Sequence, residues 1–256
     1  MERYEMSKAF YAILAGMVIA MPATSHAIDI YAFARGGVAY TQIKDTEAIN
    51  PFIAAAGAGT EPDTFHGSMG IANEENDHSV AVGAFGAGLV FNRHFRMELE
   101  GSFQKESDYQ IDVSLGWSVA GGPFDATLYG TAYNNISIES EVYMLKAYYD
   151  FPLNKHLDPY VMAGAGYAKN KASGVQTFSA NANWNEKWDD NSSNEVAWTA
   201  GVGLSYIFSK HLALDLGIEH RNLGDWELKN LPATGDESFK GKLESTNVLM
   251  GLRYHF

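Results

Sequence analysis

The 256-residue chain contains no cysteine. A disulfide framework and a thiolate metal centre are therefore excluded. Cations are scarce as well: 18 lysines and arginines stand against 31 carboxylates, for a formal charge of −13. Contact with phosphate backbones needs Lys and Arg, so nucleic acid is not an expected partner. No pair among the eight histidines has His-x-x-x-His or another ligand spacing, so neither a metal nor another cofactor is expected. Beyond residue 27, no segment reaches the roughly 18 consecutive apolar residues that a membrane helix needs.

What is present at the start is an export leader. Lys8 precedes the apolar run "AFYAILAGMVIAM" and then "PATSHA", where Ser25 and Ala27 flank His26. A basic segment, an apolar segment and a small-x-small site predict a signal peptide over 1–27, cleaved on export. Glu2 and Glu5 are unusual there, and Met6 is a second candidate start.

After the leader, the alternation has period two, which is the period of a strand with one apolar face. "FRMELEGSF" (95–103) sets Phe95, Met97, Leu99 and Phe103 against Arg96, Glu98, Glu100 and Ser102. "VYMLKAYYDF" (142–151), "VAWTAGVGLSYIF" (196–208) and "LALDLGIEHR" (212–221) read the same way, as does the final "NVLMGLRYHF". "IDIYAFARGGVAY" (28–40) serves as a first strand, and 80–91 and 160–168 alternate less sharply. Short links at Asn92–His94, Pro152–Leu157 and Ser209–His211 alternate with long links over 42–78, 105–138, 170–195 and 224–244. Nearly all the net negative charge falls in the long links. This layout predicts an all-β fold over 28–256: an eight-stranded antiparallel transmembrane β-barrel with short periplasmic turns and long extracellular loops. "YQIDVSLGWSV" (109–119) with 125–135 is expected to be an extracellular hairpin, the alternative being two further strands.

The polar strand face holds Arg35, Arg96, Lys146, Arg221 and Arg253 together with Glu98, Glu100, Asp150, Asp215 and Glu219. Charges facing lipid cost several kcal/mol, so these must face the lumen. An eight-stranded barrel is just wide enough for side chains to fill. A paired charge network plugging the lumen is therefore predicted, the alternative being that some of these charges, Asp150 and Arg35 among them, sit at the barrel ends in water. The short links repeat as "FNRHF", "FPLNKHL" and "FSKHL", and Phe91, Phe95, Phe151 and Phe208 with Tyr254 and Phe256 should form an aromatic girdle at that end. The glycines of "GAFGAG" belong to a strand pattern and suit a crowded lumen.

With the segments placed, "AYYDF", "LDPYVMAGAGYAKN", "AWTAGVGLSYIFSKHLALDLGIEHRNLG" and "LMGLRYHF" resemble the opacity-type barrels and the wider outer-membrane β-barrel surface-antigen family. The resemblance spans most of the chain beyond the leader. It implies a cell outer membrane location in a Gram-negative bacterium. It also implies contact with outer-membrane lipids and lipopolysaccharide, a monomer, and loops that meet a host or surface ligand. Val248, Met250, Leu252, Tyr254 and Phe256 resemble the C-terminal signal read by the barrel-assembly machinery. Relatives that bind anionic glycans would be expected to use basic loops; these are acidic, which speaks against glycan adhesion. No periplasmic domain follows Phe256, so tethering through an added domain is not expected.

Chemistry has two candidate stretches. In "EHRN" (219–222), a barrel-type deacylase pattern would need a Ser two residues after His220, and Asn222 stands there. In "WDD" (188–190), adjacent carboxylates could suggest a protease, but a solvated acidic turn is the expected reading. The expected function is a structural or surface-interaction barrel without enzymatic activity. The alternatives are a narrow porin and a lipid-acting enzyme.

Overall fold

The computed structural model describes residues 29–49, 65–75, 77–119, 126–179, 181–229 and 238–256. The predicted leader lies outside the described residues. The strands are β1 (Asp29–Ile49), β2 (Phe65–Glu75), β3 (Asp77–Val90), β4 (Phe95–Val119), β5 (Ala126–Asp150), β6 (Leu157–Phe178), β7 (Asn181–Lys187), β8 (Asn191–Ile207), β9 (Leu212–Lys229) and β10 (Ser238–His255). β2 and β3 follow one another along β4, and β7 and β8 follow one another along β6. The ten segments thus make eight barrel strands. The ring closes where β10 pairs antiparallel with β1, from Tyr31 opposite His255 to Ile49 opposite Ser238. The closing strand has a neighbour on each side, so it is not an open edge.

The described residues of 170–195 and 224–244 are mostly strand, which corrects the expectation of long loops there, whereas those of 105–138 prolong β4 and β5 as the expected hairpin does. β4 and β5 are 25 residues each, whereas about 9–11 residues suffice to cross a membrane. The described residues 109–119 and 126–135 prolong β4 and β5 beyond the membrane as an antiparallel pair. The lipid-facing part of β4 runs from Phe95 to Phe103. That is roughly 27 Å of strand, which a tilt near 40° lays across roughly 20 Å.

Where a strand leaves the lipid, its exterior changes from oil to water, so its apolar side must change from outside to inside. Two devices achieve this. In β4 the apolar residues keep odd numbers throughout, but Phe103 faces out while Tyr109, Ile111 and Val113 are buried inside. A register shift between Gln104 and Ser107 turns the strand over. β9 does the same around Gly224, whose φ of 77° is open to glycine. Leu216 and Ile218 face lipid below it, and Trp226 and Leu228 are buried above it. In β10 the sequence itself changes phase, from buried Phe239 and Leu243 to exposed Val248 and Met250.

The upper interior is consequently an apolar core in its own right. Ile43, Ile111, Ile136, Ile138, Trp188, Leu223, Trp226, Leu228, Phe239 and Leu243 belong to one buried cluster. This core stands above the membrane band, inside strands whose outer faces are polar.

Candidate functional site

The membrane-level lumen is filled from five of the eight barrel strands. Arg35 comes from β1, Arg96, Glu98 and Glu100 from β4, Lys146 and Asp150 from β5, Asp215, Glu219 and Arg221 from β9, and Arg253 from β10. All ten are buried. Arg35 donates through both terminal nitrogens to Glu98, at 2.7 Å each, and also reaches Glu100 and Asp215 at 3.3 Å. Arg96 donates to Glu98 at 2.8 Å and through Nε to Asp150 at 3.1 Å. Lys146 bridges Glu100 at 2.8 Å and Glu219 at 2.7 Å. Arg221 donates to Glu100 at 2.7 Å, to Glu219 at 2.6 Å and to the Ser102 hydroxyl at 2.7 Å. Arg253 meets Asp215 at 3.5 Å, and Ser205 donates to Asp215 at 2.6 Å. Five cations and five carboxylates in one low-dielectric space can stay charged because each has an opposite partner.

Two tyrosines belong to this network and were not singled out from sequence. Tyr31 and Tyr148 donate to Glu98 at 2.8 and 2.5 Å. The Arg96 guanidinium lies over the Tyr148 ring, 3.8 Å from its centroid. The signal was available: Tyr31 shares parity with Arg35, and Tyr148 with Lys146. The remaining strands supply room instead of charge. A Cβ on Gly88 of β3 would stand 2.2 Å from the Tyr31 ring, and one on Gly203 of β8 would stand 2.3 Å from Tyr160. Small residues on β3 and β8 therefore admit the rings that pack the lumen.

Below the network, a cavity of about 320 Å³ opens at the short-turn end, lined by Arg93, Arg96, Asp150, Asp158, Lys210 and Arg253 among others. Within the network, a pocket of about 20 Å³ lies beside Arg35, Tyr148 and Tyr160, room for one water. Above it, Tyr109 donates to Thr41 at 2.6 Å, and burial holds its phenol above the ordinary pKa. Further out, Lys242 donates to Asp45 at 2.6 Å, and that bond holds the Asp45 carboxyl below its usual value.

The closing-strand residues Val248, Met250, Leu252, Tyr254 and Phe256 all face outward. Their neighbours Asn247, Leu249 and Arg253 are buried. Phe91, Phe95, Phe151, Phe208, Tyr254 and Phe256 are exposed at the short-turn end, joined by Tyr149 and Tyr206.

The candidate chemical stretches resolve into structural tasks. His220 faces outward, with Nδ1 3.3 Å from Thr246 Oγ1 and its ring 5.8 Å from that of Trp198. Asn222 caps the bulge by accepting from the Gly224 amide at 3.1 Å. Asp189 makes a backbone bridge to Lys229, and Asp190 meets Lys187 at 3.4 Å in solvent. Among the described residues, no group of three or more His, Asp or Glu is placed to hold a metal ion.

An all-antiparallel ring with an apolar exterior band and a charged interior is built for an outer membrane. The model of the outer membrane protein beta-barrel domain matches residues 10–256. The chain belongs to this family. It is an outer-membrane β-barrel surface protein of the Gram-negative envelope. It is 28% identical over 190 residues to the outer membrane protein PagN of Salmonella typhimurium, covering 68% of this chain and 74% of that relative. Among solved structures it is similar to Neisserial surface protein A, with a TM-score of 0.44, 14% identity and coverage of 89% of this chain and 97% of that one. It is also similar to OprG from Pseudomonas aeruginosa, with a TM-score of 0.44, 14% identity and coverage of 88% and 95%.

Proposed function

We propose that this barrel is a sealed membrane scaffold that carries a strand-built platform above the cell surface for contact with a host or surface ligand. One observation carries the reading. The strands continue far beyond the lipid band, and the extension has its own apolar core around Trp188, Trp226 and Phe239. A barrel that served only to fill the membrane would gain nothing from a second core in water. The paired lumen charges act as a plug, and the apolar core above them excludes ions as well. Catalysis finds no support: Asn222 occupies the position a nucleophile would need, and it is committed to the Gly224 bulge. The cleaved leader over 1–27, a monomeric state, and contact with lipopolysaccharide and the assembly machinery belong to the same reading.

The test has two arms. The purified protein in planar bilayers should show no large single-channel conductance. A variant with the β4–β5 hairpin shortened by deleting 107–138 should still migrate as a heat-modifiable barrel but lose binding of whole cells to a host surface. Steady large conductance, or binding unchanged by the deletion, would overturn the proposal. The narrow-porin alternative draws on the 320 Å³ periplasmic cavity and would be favoured by conductance alone.

A further inference from the structure

The cavity at the short-turn end is bordered by groups that the lumen network leaves unmatched. Arg96 and Arg253 both line it, and both are buried, at 1% and 5% exposure. Arg96 uses Nη1 on Glu98 and Tyr31, at 2.8 and 3.2 Å, and Nε on Asp150 at 3.1 Å. Its Nη2 is buried without a hydrogen-bond partner. Arg253 meets Asp215 through Nη2 at 3.5 Å, and its Nε is buried without a partner. Asp158 lines the same cavity, and its Oδ1 is a buried acceptor with no donor.

Buried polar atoms in folded proteins find partners as a rule. Two donors and one acceptor around one space of about 320 Å³ therefore point to an occupant that offers two acceptors and one donor. Water could meet each atom singly, but it would not answer the charge. Arg93, Arg96, Lys210 and Arg253 line the cavity against Asp29, Asp150 and Asp158, four cations to three carboxylates. Two of those carboxylates are already held, Asp150 by Arg96 and Asp29 by His255 Nδ1 at 2.7 Å. Arg93 and Lys210 are exposed and make no ion pair among the described residues. The mouth is thus cationic in a chain of formal charge −13, which favours entry of an anion there.

We propose that this cavity is a binding site for a protonated phosphate group, free or at the end of a small ester, taken from the periplasm. Phosphate oxygens accept from Arg96 Nη2 and Arg253 Nε, and the P–OH donates to Asp158 Oδ1. Arg93 and Lys210 at the rim attract the anion electrostatically. A carboxylate or a sulfate carries no proton at neutral pH and would leave Asp158 facing like charge. A phosphodiester headgroup lacks that proton as well. The lumen network closes the cavity above, so the site fills and empties from the periplasmic side and requires no conduction. Its groups come from β4, β6 and β10 and from the turns before β4 and β9. An occupant therefore ties the short-turn ends of separate hairpins together and stabilises the folded barrel by mass action.

The test titrates inorganic phosphate into the folded protein in dodecyl maltoside micelles at pH 7, followed by calorimetry and by the urea midpoint. Phosphate should bind saturably, one per barrel, and raise the midpoint. Sulfate should bind at least about tenfold more weakly, because it leaves a buried acceptor unpaired. Asp158→Asn, at a half-buried position, supplies an amide that can donate, and should bring sulfate to within about threefold of phosphate. A merely structural role for Asp158 would not move that ratio. Arg93→Ala with Lys210→Ala should weaken phosphate severalfold and make the remaining binding less sensitive to salt. Glycerol phosphate at pH 6, where a monoester is about half protonated, separates the two sources. Tighter binding than inorganic phosphate assigns the site to an ester and weaker binding to the free ion, and both support the site. Failure of phosphate to bind overturns the proposal. So does sulfate binding equally to the unaltered protein, or displacement of phosphate by a short-chain phosphatidylcholine, whose phosphodiester has no proton.

Discussion

Glu98 accepts from both terminal nitrogens of Arg35, at 2.7 Å each, across 63 residues of sequence. This fork joins β1 to β4 through the lumen, although β3 lies between them in the sheet. Arg35→Ala would leave Glu98 with Arg96 as its remaining cation inside a buried space. The expected cost is about 3–5 kcal/mol, as for other buried pairs that lose one partner. It should appear as a lowered urea midpoint for the barrel folded in lipid vesicles. Arg35→Ala with Glu98→Ala should cost less than the two single changes added, by roughly 0.5–3 kcal/mol. Strict additivity would show that the fork contributes no coupling.

Trp226 is fully buried in the extracellular core. Trp226→Ala should destabilise that core by about 3–5 kcal/mol. Hydrogen exchange should quicken in β9 and β10 above Asn222 and Ser245, while the membrane-level amides of the same strands stay protected. Uniform loss along both strands would show that the two cores unfold as one unit.

Gly224 lies at φ 77°, and an added Cβ would stand 2.3 Å from that of Glu195. Gly224→Ala combines a disfavoured backbone with a clash, costing about 1–3 kcal/mol. Because the bulge turns β9 over, the substitution should increase protease cleavage in 223–229 on intact cells. Unchanged resistance would mean that the inversion does not depend on this glycine.

Asp45 and Lys242 form an exposed pair at 2.6 Å. The hydrogen bond from Lys242 holds the Asp45 carboxyl below the ordinary value of 3.8. A group whose folded pKa is depressed stabilises above its unfolded pKa, and that contribution fades as pH falls through the folded value. The window therefore lies at and below about pH 4. Lys242→Ala should return the Asp45 titration, followed by carboxyl NMR, toward 3.8. Since exposed pairs contribute little, the unfolding midpoint at pH 7 should not move measurably.

The strands and their lipid faces were legible because each is written in a local alternation. Leu212, Leu214, Leu216 and Ile218 can be read outward without knowing any neighbour. The charged positions could be assigned to the face away from lipid for the same reason, from parity and the cost of charge in lipid, but parity does not say whether Asp150 and Arg35 lie inside or at the barrel ends. The lengths of the strands were not. Over 105–138 the alternation continues, but Tyr109, Ile111, Val113, Ile136 and Ile138 face a core where the apolar set of 95–103 faces lipid. Nothing in "FQKESDYQ" announces the turn-over, because a bulge is one extra residue whose position depends on the partner strand. The partners inside the lumen were equally hidden. Arg35 meets Glu98 instead of the equally available Glu219 because of how eight tilted strands are staggered around the ring.

The sequence by itself determined which residues touch lipid and which turns are short; that eight and not ten strands cross the membrane was decided by the strand pairing. Lipid offers no hydrogen bonds and tolerates no charge, so each crossing must show an apolar residue at every second position. Only the tertiary structure decided where each strand leaves the lipid, which charges pair, and that a second core stands in water above the first. Those outcomes follow from ring closure, which sets the stagger between strands and therefore which side chains share the interior.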